Sequence, residues 1–381
     1  MVWDVKYALV HEWLTPEATG GSELVVQAIL RCYNADVFSL IDFESQQPES
    51  FFYKRKVTPT FLQHLPGARR GVQKYLPLLP LAIEQLDLRE YDVILSSSHA
   101  VAKGVLTRAD QLHICYCHSP MRYIWDLTFD YLRQSKLSRG IRGALTRYLL
   151  HRLRQWDVIS ANRVDYFIAN SQNTARRIWR SYRREAVVIY PPVDLDRFKL
   201  QEQKGEYYVT VSRLVGYKQI SLIVRAFNQL GRPLVIIGEG PELAQIRKLA
   251  RANVQVLGFQ SDAVVADYLR GAKAFIYAAQ EDFGIALVEA QGCGTPVIAY
   301  GKGGARETVR DFRQHLGSGT GLLFDRQCET DLIAAVEEFE QHAEQLNPTF
   351  IYQHAQKFAR ERFIQRYQSF VAAKTQEFFL P

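Results

Sequence analysis

Two glutamates, Glu281 and Glu289, stand eight positions apart around the apolar segment FGIALV, directly after the strand-like run AFIYAA. The pattern predicts that the chain passes there from a buried parallel strand into a helix. A helix start at the carboxyl end of a parallel strand offers free N–H groups to an anionic or hydroxyl-rich ligand. The spacing puts Glu281 beside those amides and Glu289 two turns along on nearly the same face. Two carboxylates so placed are suited to bind hydroxyls at two ends of one ligand.

Three other segments carry polar groups at predicted strand ends or helix starts. Arg213 and Lys218, in VTVSRLVGYKQISLIVRAF, lie on a loop between a strand and a helix. Taken alone, such a pair is ordinary surface charge. Gly20 and Gly21 precede the helix-like SELVVQAIL, where a close backbone approach and a helix start favour phosphate. His118 ends the strand-like LHICYCH, a position at which histidine commonly makes a structural hydrogen bond.

The segment EDFGIALVEAQGCGTPVIAYGKGGARETV resembles the E-x7-E motif of retaining glycosyltransferases of the GT-B fold, family four, and especially members that assemble bacterial polysaccharides. The resemblance extends over nearly the whole chain. It is strong over residues 205–325, moderate over 90–200 and weak over 45–85. Acceptor recognition in this family resides in the N-terminal domain, so the weak region is the one that would identify the acceptor.

The resemblance implies a role for each group of residues. Glu281 is expected to hold hydroxyls of the donor sugar and Glu289 those of the ribose. Arg213 and Lys218 are expected to hold the donor diphosphate, whose negative charge grows as it departs, without a metal. His118 is expected to contact the donor sugar. The further donor-binding positions, which act mainly through their backbone, are Gly20, Gly21, Gly258, Phe259, Phe283, Gly284 and Ile285.

Several other motifs do not support a function of their own. Asp194 and Asp196 form a D-x-D pair, but no third metal ligand lies nearby in the sequence, so we predict no metal site. The glycine pair in PLVIIGEGPEL lacks the third glycine of a dinucleotide fingerprint. His99 is expected to order an acceptor loop, and Ser171 resembles the family's NS-x-x-T element. No cofactor is expected apart from the nucleotide sugar substrate.

Apolar runs alternate with helix-like stretches in both halves of the chain, which is the rhythm of βα units in a parallel sheet. The runs are KYALV, ADVFSLI, YDVILSSS, GVLTR, LHICYCH and VDYFIANS, and then YYVTVSRL, PLVIIGEG, VQVLGF, AFIYAA, TPVIAYG and TGLLF. The proline pair in IYPPVDLDRF marks a break near residues 190–205.

We therefore predict an α/β protein with the GT-B fold, in which two doubly wound Rossmann-like domains face a central cleft. Residues 1–190 form the predicted acceptor-binding domain and residues 205–350 the nucleotide-sugar-binding domain. A helical segment, 351–381, is long enough to cross back to the first domain.

Charge is distributed unevenly along the 381 residues, whose net charge is +7. Residues 1–190 hold 25 Lys/Arg and 18 Asp/Glu, whereas residues 191–381 hold 22 of each. Residues 122–184 alone hold 14 basic and 4 acidic side chains. Such an excess of positive charge favours an anionic partner: a phospholipid surface, a lipid diphosphate or a nucleic acid. The alternative is that these arginines form a solvated helix face without a partner.

The stretch 131–160 predicts an amphipathic basic helix or helix pair. We hypothesise that its arginines contact an anionic membrane; the alternative is that its leucines are core residues. Those arginines are Arg139, Arg142, Arg147, Arg152 and Arg154, and the leucines are Leu145, Leu149 and Leu153.

The five cysteines are scattered in apolar surroundings, as free thiols in a reducing compartment would be. The N-terminus has an acidic residue where a signal peptide needs positive charge, and the longest apolar runs are short. These features predict a cytoplasmic protein, peripheral at the inner face of the plasma membrane if the basic stretch binds lipid.

The predicted function is retaining transfer of a hexose from a nucleotide diphosphate sugar to a polysaccharide or lipid-linked saccharide. We favour UDP-glucose over GDP-mannose as donor, and a soluble small acceptor stays open. Two readings from other classes also stay open: a GT-B sugar-nucleotide epimerase, which shares the fold without an acceptor, and a basic nucleic-acid-binding protein. The latter explains the charge but not the segment from Glu281 to Glu289, so nucleic acid is not an expected partner.

Overall fold

The computed structural model describes residues 5–16, 20–134 and 140–380. The chain divides into two compact units. The first unit consists of Met1–Tyr190 together with Phe363–Pro381, and the second consists of Pro191–Arg362. Each unit has a parallel sheet with helices, so the predicted α/β class with two Rossmann-like domains is confirmed.

The sheet of the first unit has seven parallel strands among the described residues. These are β1 (Tyr7–His11), β2 (Ala35–Ser39), β3 (Val57–Pro59), β4 (Val93–Ser98), β5 (Leu112–Cys117), β6 (Tyr166–Ala169) and β7 (Ala186–Val188). Their order across the sheet is β3-β2-β1-β4-β5-β6-β7. Every residue of β4 and β5 is buried, because both faces of a parallel sheet are covered. The chain reverses its direction of winding between β1 and β4, which makes their carboxyl ends the expected place for a ligand.

The sheet of the second unit has six parallel strands. These are β8 (Tyr208–Val211), β9 (Leu234–Ile237), β10 (Val254–Gly258), β11 (Ala274–Tyr277), β12 (Val297–Tyr300) and β13 (Gly321–Phe324). Their order is β10-β9-β8-β11-β12-β13, a doubly wound arrangement whose winding reverses between β8 and β11. The strands are short and largely apolar, as the predicted runs required.

Helices follow most of the strands. In the first unit they are α1 (Gly21–Cys32), α2 (Ala68–Gly71), α3 (Leu79–Ile83), α4 (Thr128–Gln134), α5 (Gly140–Ala161) and α6 (Gln172–Tyr182). In the second they are α7 (Ile220–Leu230), α8 (Leu243–Leu249), α9 (Asp262–Gly271), α10 (Ile285–Gln291), α11 (Ala305–Thr308), α12 (Glu329–His342) and α13 (Pro348–Ala355), and α14 (Arg360–Phe379) follows. None of the helices formed by the described residues is both long and apolar enough to span a bilayer.

The C-terminal part of α14 belongs to the core of the first unit. Phe363, Tyr367 and Val371 recur at helical spacing and are buried with residues of the sheet. The ring of Tyr116 lies 5.7 Å from that of Phe363 and 6.5 Å from that of Tyr367, measured between centroids. Burial of these aromatic side chains stabilises the attachment of the helix.

Two local expectations need correction. The run GVLTR, at residues 104–108, is not a strand, because Arg108 pairs with Asp110 and Leu106 is half exposed, so the segment does not alternate as a strand would. The segment after the proline pair is not a free linker either. Val193 forms a β-bridge with Ala359, and residues 191–204 and 351–362 group with the compact second unit, Pro191–Arg362, together with the predicted 205–350.

Candidate functional site

The cationic and carboxylate residues predicted in the second unit come together at one edge of its sheet. Arg213 and Lys218 follow β8, and Glu281 follows β11. These two strands are hydrogen-bonded neighbours, with Tyr208 opposite Ala274. The carboxyl ends of both strands lie at the same edge because the strands are parallel, and this is the edge where the winding reverses.

Lys218, Tyr277 and Glu281 form a hydrogen-bonded cluster at this edge. The Lys218 ammonium donates to the Tyr277 hydroxyl at 2.8 Å and to the Glu281 carboxylate, and the Tyr277 hydroxyl donates to the same carboxylate oxygen at 3.1 Å. Side-chain exposure is 14% for Lys218 and 20% for Glu281, so the ion pair is largely shielded from water.

The ionisation of Lys218 follows from these neighbours. Burial lowers its pKa, but the adjacent Tyr277 and Glu281 outweigh that effect and raise the pKa above the usual value for lysine. Burial raises the pKa of the Tyr277 phenol, and Glu281 adds to the rise. Lys218 is therefore a fixed positive charge at neutral pH, and Tyr277 is a neutral hydroxyl. Sequence reasoning did not identify Tyr277, although it is the last residue of the strand-like AFIY.

Arg213 lies on the same loop as Lys218 and is exposed. Within the described part of the chain its guanidinium has no hydrogen-bond or ion-pair partner. The loop itself is well supported, because the Leu214 amide donates to the Glu239 carbonyl at 2.7 Å. A Cβ atom at Gly240 would lie 2.3 Å from the Leu214 carbonyl oxygen, so only glycine fits there. The glycines of the incomplete dinucleotide fingerprint thus hold the loop that carries both cations.

The backbone around Glu281 is held by a glycine turn from the next βα connection. Glu281 forms a β-bridge with Gly303, and the Gly304 amide donates to the Glu281 carbonyl at 2.8 Å. A Cβ atom at Gly303 would lie 2.1 Å from that carbonyl oxygen, and one at Gly304 would lie 2.2 Å from the Phe283 carbonyl oxygen. The GG pair in AYGKGGARE therefore permits the close approach that fixes the Glu281 loop.

The helix after this loop starts later than the spacing predicted. Glu281 was expected beside the helix amides, but α10 begins at Ile285 with Gly284 as its N-cap. Gly284 has φ +91°, a left-handed conformation that glycine adopts without strain, and it ends the irregular loop. Glu281 thus lies on the loop itself, held by Lys218, and Glu289 lies about one turn into the helix rather than two turns from the helix start.

Glu289 is paired with an arginine that sequence reasoning did not identify. Arg197 contacts the Glu289 carboxylate with one guanidinium nitrogen and Asp262 with another, at 2.5 Å. Burial raises the pKa of Glu289, and Arg197 opposes that rise. Arg197 belongs to the VDLDRF segment, which was interpreted as part of a break between domains. The sequence feature that could have identified Arg197 is its position directly after a D-x-D pair for which no third metal ligand was found.

The remaining predicted donor-binding residues of the second unit occupy two places. Phe283 is buried against Phe358, at 5.5 Å between ring centroids, so only its backbone can meet a ligand. Ile285 is half-buried at the start of α10. Gly258 ends β10 with φ +77°, and the Phe259 ring after it is 70% exposed, as a ring available for stacking would be.

Three histidines lie at the corresponding edge of the first unit. His11 ends β1, and His99 and His118 come directly after β4 and β5. The three rings follow one another along the edge. The ring centroids are 6.1 Å apart for His11 and His99 and 6.2 Å apart for His99 and His118. His118 Nε2 is 2.9 Å from the Ser97 hydroxyl. Burial lowers the pKa of His99 and of His118, so both rings are neutral near pH 7.

A buried carboxylate, Glu12, organises the loop after β4, and sequence reasoning missed it. Glu12 accepts hydrogen bonds from the Ser98 hydroxyl at 3.1 Å and from four consecutive backbone amides, residues 99–102, at 2.7–3.1 Å. Burial raises the pKa of Glu12, but the hydrogen bonds from backbone amides favour the ionised carboxylate, so the pKa is lowered. The signal was an acidic residue immediately after a buried strand, in LVHEW.

The glycine and NS-x-x-T elements are helix starts. Gly20 is the N-cap of α1, which begins at Gly21, and the Gly20 amide already donates to the Glu23 carboxylate at 2.8 Å. Ser171 caps α6 by accepting a hydrogen bond from the Thr174 amide at 3.0 Å. This arrangement supports the α-helices directly.

The D-x-D pair has a different partner from the metal that such pairs bind elsewhere. Arg360 contacts Asp196 at 2.7 Å and Asp194 at 3.4 Å. Among the residues that the structure describes, no three His, Cys, Asp or Glu side chains are grouped as metal ligands.

Two family models match the chain. Residues 193–356 match the model described as glycosyl transferases group 1, and residues 19–197 match the model described as glycosyltransferase family 4. The fold and these matches define the class: the protein has the GT-B fold, and its homologues are glycosyltransferases.

Particular relatives are similar over part of the chain or in fold. D-inositol 3-phosphate glycosyltransferase of Mycobacterium leprae (strain Br4923) is 30% identical over 173 residues, which are 39% of this chain and 40% of that protein. The chain thus matches about two fifths of the length of this relative. Anabaena Alr3699/HepE, solved in complex with UDP, is 18% identical with a TM-score of 0.67, covering 96% of this chain and 100% of that one.

A second solved structure, sucrose-phosphate synthase of Thermosynechococcus elongatus, is 16% identical with a TM-score of 0.69 over 96% of this chain and 100% of that one. At these identities the solved structures support the fold alone.

Proposed function

We propose that this protein is a retaining hexosyltransferase that uses a nucleotide diphosphate sugar as donor. One observation carries the proposal: the cluster of Lys218, Tyr277 and Glu281 lies at the carboxyl ends of β8 and β11, and Arg213 lies on the same loop as Lys218. A donor of this kind has a diphosphate beside a hydroxyl-rich sugar. Fixed cations next to a carboxylate match both parts.

Each residue of the cluster has a distinct task in this proposal. Lys218 and Arg213 bind the diphosphate oxygens, whose negative charge increases as the bond to the sugar breaks. Glu281, paired with Lys218, accepts hydrogen bonds from sugar hydroxyls. Glu289, held by Arg197, accepts hydrogen bonds from the ribose. No divalent metal is required, because side chains supply the positive charge.

The reaction exchanges one bond at the anomeric carbon for another. The bond from that carbon to the diphosphate oxygen breaks, and the acceptor oxygen bonds to the carbon on the same face, with retention of configuration. The departing diphosphate accepts the acceptor's proton, so no enzymic carboxylate is needed as nucleophile or base. A neutral His118 contacts the sugar as a hydrogen-bonding group rather than as a proton acceptor.

UDP-glucose is the donor we favour over GDP-mannose. The Anabaena relative was crystallised with UDP-glucose, and it shares this fold over 96% of the chain. The exposed Phe259 ring at the end of β10 suits stacking on a planar base, which supports a nucleotide without selecting one.

We assign acceptor recognition to the first unit, with a polysaccharide or lipid-linked saccharide as acceptor. At its carboxyl edge the Trp13 ring packs edge to face on His99, with centroids 4.7 Å apart. The Trp13 ring is itself buried, so the partly exposed, neutral imidazoles of His99 and His118 are the groups suited to bind saccharide hydroxyls.

Calorimetric binding of UDP, GDP and ADP, and of their glucose and mannose conjugates, tests the donor. A ligand that binds only the folded protein also raises its melting temperature, which gives an independent readout. We expect UDP and UDP-glucose to bind more tightly than the other nucleotides. Equal, negligible binding of all nine ligands would reject the donor assignment.

Product analysis then separates the alternatives. Incubation with the bound sugar nucleotide and saccharide acceptors should give a glycosylated product with the donor's anomeric configuration. Conversion of the sugar nucleotide into an epimer without any acceptor would instead identify an epimerase. Salt-sensitive DNA binding without nucleotide binding would identify a nucleic-acid-binding protein.

A further inference from the structure

Helix α5 has two apolar stripes, and only one of them is covered. Its inner face carries Leu150 and Leu153, which are buried in the core of the first unit. The opposite face carries Ile141, Leu145, Tyr148 and Ile159, which are exposed by 89%, 58%, 59% and 59%. These outer positions follow helical spacing, so their side chains share one side of the helix. The alternative that the leucines are core residues therefore holds for Leu153 but not for Leu145.

The outer face is also basic. Arg142 and Arg152 are exposed on the same helix. The only acidic residue of α5, Asp157, is fully buried and pairs with Lys103 at 2.5 Å, so it does not offset the surface charge. Arg139, the first of the five arginines in the sequence hypothesis, lies outside the described residues.

The C-terminal half of α5 borders a cationic groove. It has a volume of about 710 Å³ and is lined by Trp125, His151, Arg152, Arg154 and Ile159, among others. The Arg154 guanidinium donates to the Ile124 carbonyl at 3.0 Å, which fixes one cation at the side of the groove. A groove that combines arginines with an indole is suited to a phosphate headgroup at an apolar boundary.

From these observations we propose that the outer face of α5, defined by Ile141, Arg142, Leu145, Tyr148 and Arg152, docks the first unit on an anionic phospholipid bilayer. Apolar side chains on one line enter the acyl boundary while the arginines beside them reach lipid phosphates. The attachment lies on the surface of the bilayer. It does not depend on the proposed sugar transfer.

Charge selects a lipid surface over a second copy of the chain. If two copies met through this face, the arginines of one would oppose those of the other, and the acidic residue of the helix is buried away from the contact. Like charges brought together in this way disfavour association. An anionic bilayer meets both the charge and the exposed apolar stripe.

Sedimentation with vesicles tests the proposal on the full chain. Vesicles of phosphatidylcholine alone are compared with vesicles that also contain phosphatidylglycerol, at low and at high salt. We expect the protein to pellet with anionic vesicles at low salt, and at least about tenfold less with neutral vesicles or at high salt.

Two double variants separate the apolar and the electrostatic contributions. Ile141→Ser with Leu145→Ser removes the apolar stripe, and Arg142→Glu with Arg152→Glu reverses two charges. Each should reduce binding to anionic vesicles by about tenfold or more, since all four side chains are at the surface and the fold should persist. The matched controls are Leu316→Ser, which removes an apolar side chain exposed by 80% in the second unit, and Lys56→Glu with Lys248→Glu.

Three results would overturn the proposal. The first is equal and negligible binding of the wild-type protein to both kinds of vesicle, which needs no variant. The second is unchanged binding in both α5 variants with unchanged melting temperatures. The third is a concentration-dependent dimer that the Ile141→Ser/Leu145→Ser variant abolishes while vesicle binding is absent, which would assign the face to a second copy.

Discussion

The carboxyl edges of the two sheets are built from the same topology but hold charge in opposite ways. At the edge of the second unit, Lys218 and Glu281 keep part of their surface open, and Arg213 is exposed. At the edge of the first unit, the carboxylate of Glu12 is fully buried and receives four backbone amides. One edge offers its charges to a ligand, whereas the other uses its charge to hold a loop.

The difference shows that the position of a charged residue does not by itself define its role. Glu12 and Glu281 both follow a strand at the point where the winding of a sheet reverses. What separates them is the partner: backbone amides satisfy Glu12 completely, whereas Glu281 contacts a lysine ammonium and a tyrosine hydroxyl that a donor could also contact. The two edges therefore predict different consequences when a charge is removed.

Removal of Lys218 is the change from which we expect the largest effect. Lys218→Ala should reduce kcat by about thirtyfold or more, about 2 kcal/mol, because the charge that this side chain faces grows during the reaction. Arg213→Ala should act in the same direction. Steady-state kinetics with a saturating donor measure both effects.

The control is Lys248→Ala, which removes an exposed lysine from α8. Its kcat should equal that of the wild type, and the melting temperatures should show that all three variants are folded. Normal turnover in both Lys218→Ala and Arg213→Ala would show that neither cation acts in the reaction, and it would contradict the proposed difference between the two edges.

At the edge of the first unit, removal of a charge is expected to reduce stability rather than turnover. In the wild type the backbone amides share the two oxygens of the Glu12 carboxylate, whereas the side chain of Glu12→Gln has one acceptor oxygen. The substitution should therefore lower the free energy of unfolding by about 1–3 kcal/mol at pH 7. Urea unfolding followed by tryptophan fluorescence measures the change. Glu49→Gln, at an exposed position, is the matched control and should have no effect.

The pH dependence of that loss has a definite sign. The pKa of Glu12 is lower in the folded chain, so its stabilising contribution is complete above the unfolded value of about 4.3 and is lost as pH falls through the folded value. The difference between wild type and Glu12→Gln should therefore shrink as pH falls below about 4. A difference that stays constant down to the acid transition would show that Glu12 does not act as a carboxylate.

Much of the fold could be predicted from the sequence because the relevant signals are local. Buried strands such as LHICYC are continuous apolar runs, and the two chemical segments of the second unit, around Arg213 and around Glu281, are each short enough to be recognised. That the two segments meet follows from strand order, with β8 beside β11. Local spacing predicted a helix start at Glu281, yet Gly284 delays it to Ile285.

The contacts that were missed join residues far apart in the chain. Arg197 and Glu289 are 92 positions apart, and Glu12 and Ala100 are 88 apart. No periodicity or spacing relates such residues, because only the folded sheet brings them together. Arg197 follows the proline break and Glu12 follows β1, but Glu289 lies within α10, where its position gives no sign of its partner.

Removal of Arg197 is expected to have a smaller effect than removal of Lys218, and it tests the role of Glu289 at the edge of the second unit. Arg197→Ala should weaken UDP binding by about tenfold, about 1.4 kcal/mol, with a smaller change in kcat, because it acts through Glu289 on bound nucleotide. Burial raises the pKa of Glu289 and Arg197 opposes this, so the loss should be greater at pH 6 than at pH 8.

Calorimetric dissociation constants at the two pH values measure this effect, and Arg197→Lys should recover part of the affinity. Arg360→Ala is the control, because Arg360 also bridges two carboxylates, Asp194 and Asp196, in the same unit. An equal weakening in both variants, independent of pH, would mean that Arg197 has a structural role only.

Removal of divalent metal is expected to have the smallest effect. Lys218 carries a fixed positive charge at the second edge, and Asp194 and Asp196, the pair that resembles a manganese motif, are engaged with Arg360. A metal would have to displace that arginine from its carboxylates to bind there. Turnover of the sugar nucleotide should therefore be the same, within error, before and after treatment with excess EDTA, and added manganese or magnesium should not raise it. A loss of activity with EDTA that only one of these metals restores would contradict this, and it would mean that the cations of the loop after β8 do not balance the charge of the leaving diphosphate by themselves.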